Sequence, residues 1–136
     1  MENKYQTFED LIIWQEGLRL SCDIHSELKN CRNYSLRDQI QKSSTSVPSN
    51  IAEGFERQTD KEFIQFLYVA KGSCGELRTQ LYIASDQLLI DRAKCAEFIA
   101  RAKKKSAMIQ NLITSKKITL KKIVKKITSW LLFLNT

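Results

Sequence analysis

The chain has 136 residues and 22 Lys and Arg against 15 Asp and Glu, a net charge of +7, which suits one domain with a real core and an anionic partner. Four Gly and one Pro are too few for a turn-rich β protein, and no run approaches the roughly 18 apolar residues of a membrane-spanning helix. Cys22, Cys31, Cys74 and Cys95 form no C-x-x-C pair and His25 stands alone, which argues against zinc and redox chemistry.

The first ten residues lack the basic and apolar regions of a secretory signal, and with reduced cysteines this points to a cytoplasmic protein. Thr7 and Asp10 form a variant capping box. Phe8, Leu11, Trp14, Leu18, Cys22, His25 and Leu28 then repeat at three and four, predicting an amphipathic helix that ends near Lys29,. On that stripe Trp14 and His25 are packed side chains, and Cys22 is a small hydrophobe.

Ser35 with Asp38 predicts the cap of a second helix, which carries an apolar stripe of Ile40, Val47, Ile51 and Phe55. Beside it runs a polar stripe of Ser43, Ser46, Asn50, Glu53 and Arg57, and Pro48 interrupts both. Proline inside a helix removes one donor and crowds the carbonyl four residues back, here that of Ser44. The expectation is a kink eased by the hydroxyls of Ser44, Thr45 and Ser46. The polar stripe is either part of a kinked core helix or a face turned to a partner.

Thr59 to Glu62 is a capping box, followed by Phe63, Phe66, Leu67, Ala70, Cys74, Leu77, Leu81, Ala84 and Leu88 at helical spacing,. Gly72, Ser73 and Gly75 predict close approach by a neighbouring helix; a phosphate-binding glycine loop would need a preceding strand and a Lys-Ser or Lys-Thr that are missing. Asp91 caps a fourth helix with Cys95, Phe98, Ile99, Ala102, Ile109, Leu112 and Ile113 inward, and Lys103, Lys104 and Lys105 read as a solvated face. The charge is uneven. Residues 116–136 hold six Lys and no acid, which leaves 16 basic residues against all 15 acids before them. Leu120, Ile123, Ile127, Trp130, Leu131 and Leu134 share one side of this tail, with Lys121, Lys122, Lys125, Lys126 and Ser129 opposite. That is a basic amphipathic helix. Its apolar side can fold back on the bundle, join another subunit or lie on a membrane; docking on protein ranks first, because an exposed Trp-Leu-Leu-Phe-Leu end invites aggregation.

The expected architecture is all-α: an antiparallel up-and-down four-helix bundle over 1–115, with a kinked second helix, and an extra basic amphipathic C-terminal helix over 116–136. No cofactor is implied. No nucleophile pairs with a base, and a Glu53–Glu76 carboxylate pair reads as polar contacts rather than a metal site, so an enzyme is not expected.

Phe8-Glu9-Asp10-Leu11 with Trp14-Gln15, Asp38-Gln39-Ile40, Ser46 to Phe55, and Phe63 with Phe66-Leu67, Ala70, Gly72-Ser73 and Glu76-Leu77 resemble a four-helix-bundle family. That family is named for proteins encoded in intervening sequences of bacterial large-subunit ribosomal RNA. The resemblance covers residues 7–113, and the block Val47, Pro48, Ser49, Asn50, Ile51, Ala52, Glu53, Gly54 is its specific part. Members are small bacterial proteins, and a related branch, the accessory variability determinant of diversity-generating retroelements, forms a pentameric barrel that works with a reverse transcriptase and its RNA. The resemblance implies a homopentamer and a packing or barrel-lining role for the Pro48 region. It implies no catalytic residues. Gly17 and Gly75 depart from its pattern, and the tail lies outside it.

The function expected is a non-enzymatic oligomeric bundle that binds structured RNA or a ribonucleoprotein. The cations nominated for phosphate contact are Arg37, Lys42, Arg57, Lys61, Lys71, Arg78, Lys116, Lys117, Lys121, Lys122, Lys125 and Lys126. The alternative is a protein-protein adaptor without direct nucleic-acid contact; a third reading lays the tail on anionic membrane.

Overall fold

The computed structural model describes residues 5–136. Four helices follow a short 3-10 turn at Phe8–Asp10: α1 (Ile12–Glu27), α2 (Tyr34–Phe55), α3 (Asp60–Asp86) and α4 (Arg92–Leu134). Each packs on its sequence neighbour and α1 closes against α4, giving the antiparallel four-helix bundle expected. No strand occurs among the described residues.

The α1 stripe differs from the expectation. Leu11 takes an extended conformation (φ −76°, ψ 125°) that ends the 3-10 turn and restarts the helix, so Phe8 does not share the helical phase of α1. The buried side is Ile13, Gly17, Leu20, Ser21 and Ile24, while Leu18 is exposed, as is Cys22. Trp14 lies partly buried beside Phe8, ring centroids 5.1 Å apart, and His25 Nδ1 bonds to the Ser21 carbonyl at 2.8 Å.

Caps set the other helix starts. Asn33, not Ser35, caps α2, its side chain accepting from the Leu36 N–H at 3.1 Å. The Thr59–Glu62 box opens α3, and Asp91 accepts from the Lys94 N–H at 3.1 Å to open α4. At the end of α3, Leu88 adopts φ 56° and the Leu89 N–H reaches back to the Ala84 carbonyl at 2.9 Å. Leu88 thus stands where glycine commonly ends a helix, and it points away from the core at 69% exposure,.

Pro48 lies buried within α2, which continues unbroken on both sides. The nearby hydroxyls do not turn to the Ser44 carbonyl: Ser44 Oγ donates to the Gln41 carbonyl at 3.0 Å and Ser46 Oγ accepts from Asn50 Nδ2 at 3.0 Å. Gly17 of α1 packs against this stretch, where an added Cβ would stand at ordinary contact distance, 3.8 Å from Pro48 and 3.6 Å from Val47.

The core divides into two apolar clusters. One, toward the α1–α2 and α3–α4 connections, joins Ile24, Leu28, Ile40, Leu81, Cys95 and Phe98; the other joins Leu11, Val47, Ile51, Phe63, Leu67, Ile109 and Ile113. Buried polar groups link the helices between them. Ser43 Oγ donates to Gln80 Oε1 at 2.6 Å, Gln80 Nε2 donates to Glu76 Oε1 at 3.3 Å, and Ser21 and Ser44 share a hydrogen bond at 3.2 Å.

Candidate nucleic-acid interface

The fourth helix does not stop near Lys116. Nothing in Ser115-Lys116-Lys117 breaks a helix, and α4 runs from Arg92 to Leu134 as one element of 43 residues,. Burial marks the boundary instead. Ile113 is fully buried and Leu120 only partly so against the second cluster, while every residue from 121 onward is exposed. The expected separate C-terminal helix is therefore an extension of α4 that leaves the bundle. It does not fold back on it.

Lys121, Lys122, Lys125 and Lys126 project from one side of this extension, and no ion pair or hydrogen bond holds any of them among the described residues. Nearer the bundle, Lys116 reaches Asp60 at 3.5 Å and sits 5.8 Å from the Phe63 ring. Lys117 donates to the Tyr68 hydroxyl at 2.6 Å over that ring. These two lysines are tied to α3 before any phosphate arrives.

The nominated cations of the bundle do not form one patch. Arg37 pairs with Asp38 at 3.0 Å and lies over Tyr34, near the start of α2, and Lys42 is exposed one turn on. Arg57 pairs with Glu53 at 3.0 Å and stacks on Phe66 at the opposite end, with Lys61 exposed nearby. Lys71 donates to Gln110 at 2.6 Å, and Arg78 is half-buried, its Nε sealed from solvent without a hydrogen-bond partner among the described residues. The helix axis explains the scatter: ten residues separate positions by about 15 Å.

The motif block lies partly inside the bundle. Val47, Pro48, Ile51 and Gly54 are buried, Ala52 is half-buried, and Ser49 and Glu53 face outward. Asn50 donates back to the Ser46 carbonyl at 2.8 Å. At Gly54 α2 and α3 come close together, since an added Cβ would stand 2.6 Å from the Phe66 Cβ. Gly72 and Gly75, expected to serve that purpose, have nothing within 4 Å of such a Cβ. The close approach belongs to Gly54. Glu53 and Glu76 do not meet, because Glu76 is level with Ser43 through Gln80, about 15 Å along α2 from Glu53. No group of three or more His, Cys, Asp or Glu able to hold a metal occurs among the described residues.

The solvated reading of Lys103 to Lys105 fails at its last residue. Lys105 is 4% exposed and donates to the Glu16 carboxylate, while Lys104 lies 3.9 Å from the same carboxylate. That hydrogen bond from Lys105 holds the Glu16 carboxyl below its ordinary range, against the opposing effect of burial,. Further along the same seam Arg101 meets Asp23 at 2.8 Å and Lys94 meets Glu27 at 3.8 Å. Charge thus joins α1 to α4. The signal was present as two series of equal span, Glu16, Asp23 and Glu27 against Lys105, Arg101 and Lys94, but legible only once the two helices are known to be antiparallel neighbours. The buried thiols are inert by comparison: desolvation pushes Cys74 up to about 11 and raises Cys95,.

No helix among the described residues is long and apolar enough to cross a membrane. A search of curated proteins gives no match. Among solved structures, the crystal structure at 1.70 Å of a protein with unknown function from the S23 ribosomal protein family of Bacteroides thetaiotaomicron VPI-5482 is similar, with a TM-score of 0.71 and 20% identity over 75% of this chain and 98% of that chain. At that identity the likeness shows the fold. The profile of the family described as 23S rRNA-intervening sequence protein matches residues 9–111, three quarters of the sequence and most of the bundle. The chain belongs to the 23S rRNA-intervening sequence protein family.

Proposed function

We propose that this protein is a non-enzymatic oligomeric helical module that binds structured RNA, or a ribonucleoprotein, through the lysine face of the α4 extension. The observation that carries the reading is the set of four exposed lysines, Lys121, Lys122, Lys125 and Lys126, on a helical stretch that contains no acid. Lysines on a rigid helix meet the phosphates of a nucleic-acid groove without base-edge readout, so recognition follows shape and charge. The name of the family supports ribosomal RNA as the first RNA to try. Arg37, Lys42, Arg57, Lys61, Lys71 and Arg78 contribute less, being spread over the bundle or engaged within it.

A homopentamer, implied by the resemblance, belongs to this reading, because repeated weak contacts multiply affinity. The outer side of α3 offers it a surface, with Val69, Tyr82 and Ile83 exposed around Gly72 and Gly75. The cytoplasm is the compartment consistent with reduced thiols and a ribosomal-RNA target.

Titration of 23S ribosomal RNA fragments across a salt series tests the proposal. Replacing the four lysines by Gln is expected to weaken binding at least tenfold at low salt and to flatten the plot of log affinity against log salt by about 3. Equal binding by the quadruple variant, or no binding by the native chain at low salt, removes RNA as the ligand of this face. The adaptor reading then stands, and recovery of a defined protein after nuclease treatment supports it.

A further inference from the structure

The apolar side of the α4 extension continues the seam by which α4 enters the core. Cys95, Phe98, Ala102, Ile109 and Ile113 are buried on that seam, and Leu120, Ile123, Ile127, Trp130 and Leu134 prolong it at alternating spacings of three and four. Such spacing fits a helical partner lying alongside, with Leu120, Ile127 and Leu134 in one row and Ile123 and Trp130 in the other. Lys121, Lys122 and Lys125 fall on the far side, while Lys126 flanks the seam between Ile123 and Trp130,. Within one chain the seam has no cover, and Ile127 and Trp130 are 53% and 61% exposed.

Two further features say what covers it. The last turn is apolar all round, with Trp130, Leu131, Leu132, Phe133 and Leu134 exposed, which a simple two-helix seam leaves half bare. At the base of the extension, among the described residues, a cleft of about 490 Å³ is lined by Leu11, Phe55, Phe63 and Leu112, together with Asp60 and Lys116. The exposed span from 117 to 134 is about 27 Å long. An antiparallel partner that sets Ile123 against Ile127 and Leu120 against Trp130 brings its own Leu134 level with Lys116, at that cleft. The tip enters the cleft and the shaft covers the seam.

Charge favours this occupant over an anionic lipid surface. Around the cleft, residues 5–11, 53–62 and 116–117 hold Glu9, Asp10, Glu53, Glu56, Asp60 and Glu62 against Arg57, Lys61, Lys116 and Lys117. This end stays net acidic and opposes an anionic surface approached along the extension, whereas the tip it receives, Trp130 to Leu134, has no charged side chain,. We infer that the α4 extension pairs antiparallel with the extension of a second copy of this chain, each apolar tip seated in the cleft at the mouth of the other bundle. Lying outside residues 9–111, the device is no part of the matched family region, and it leaves Lys121, Lys122 and Lys125 free whether or not they meet RNA.

The test is photocrosslinking of the full chain with benzoylphenylalanine in place of Phe133. Along a continuous helix Phe133 stands about 32 Å from Leu112, so it cannot reach the cleft of its own chain. The expected product is a covalent dimer whose crosslinked peptide spans residues 53–66. Ile127→Asp, at an exposed position that leaves helicity unchanged by circular dichroism, is expected to cut the yield at least tenfold. Crosslinks between two tips, crosslinks into phosphatidylglycerol vesicles with no chain-to-chain product, or no dimer at all overturn the inference.

Discussion

Residues 92–115 and 116–134 belong to one helix with one seam spacing, yet they have opposite fates. In the first half the seam packs on α3 and α1, and even Lys105 is drawn into the interior beside Glu16. In the second half the same spacing, with larger side chains such as Trp130, stays exposed. Periodicity specifies that a face is apolar; what covers it depends on how far the neighbouring helices reach. Here α1 begins at Ile12 and α2 ends at Phe55, so the ring closes off near Ile113 and α4 continues alone.

The sharpest way to break this contrast is a matched pair of truncations on the seam. Ile109→Ala is expected to cost about 3 kcal/mol, because it opens a cavity in a filled core. Ile127→Ala is expected to change the unfolding of the dilute protein by less than about 0.5 kcal/mol. Urea melts of both variants at low micromolar concentration check the pair. Equal losses would show that the extension is covered as completely as the bundle.

The polar side of the same helix gives the next largest effect. Glu16→Gln strands the buried Lys105 ammonium without its counter-charge and is expected to destabilise by about 2 to 3 kcal/mol, less than a wholly buried pair because Glu16 keeps some solvent. The sign of its pH dependence is set by the direction of the shift. The carboxyl is held below its ordinary value of 4.5, so its contribution is complete above that value and is lost as pH falls through the lower folded one. The gap between native and variant stability should therefore be constant above about pH 5 and close on further acidification. A gap that widens in acid would contradict the pairing.

The smallest expected effects separate inward from outward glycines. Gly54→Ala forces apart α2 and α3, where a Cβ would meet Phe66 at 2.6 Å, and is expected to cost about 2 kcal/mol. Gly75→Ala meets nothing within 4 Å and is expected to stabilise the isolated chain by about 0.5 to 1 kcal/mol through helix propensity alone. Thermal melts of the two variants should move in opposite directions. Should Gly75→Ala also lower the mass in solution, the outer side of α3 is a subunit contact.

Much of this was legible in the residues, though not evenly. The Thr59-x-x-Glu62 box and the Asp91 cap lie where their spacing placed them, because capping is a local exchange of hydrogen bonds. The α1 stripe was not legible: two apolar series overlap there, and Leu11 resets the phase by leaving the helix. Which series turns inward depends on Gly17 meeting Val47 and Pro48, a contact thirty residues away in sequence. The candidate site was legible as a lysine-rich stretch, but its grouping was not. Twelve nominated cations resolve into four free lysines on the extension and a remainder dispersed over the bundle.

By itself the sequence determined the four helices and the starts of α3 and α4, since these rest on interactions within a few residues. Tertiary structure alone decided which glycine lets two helices touch, that Lys105 is interior, and that the final apolar face stands uncovered by its own chain. Those outcomes depend on where neighbouring helices begin and end in space, and no local periodicity carries that information.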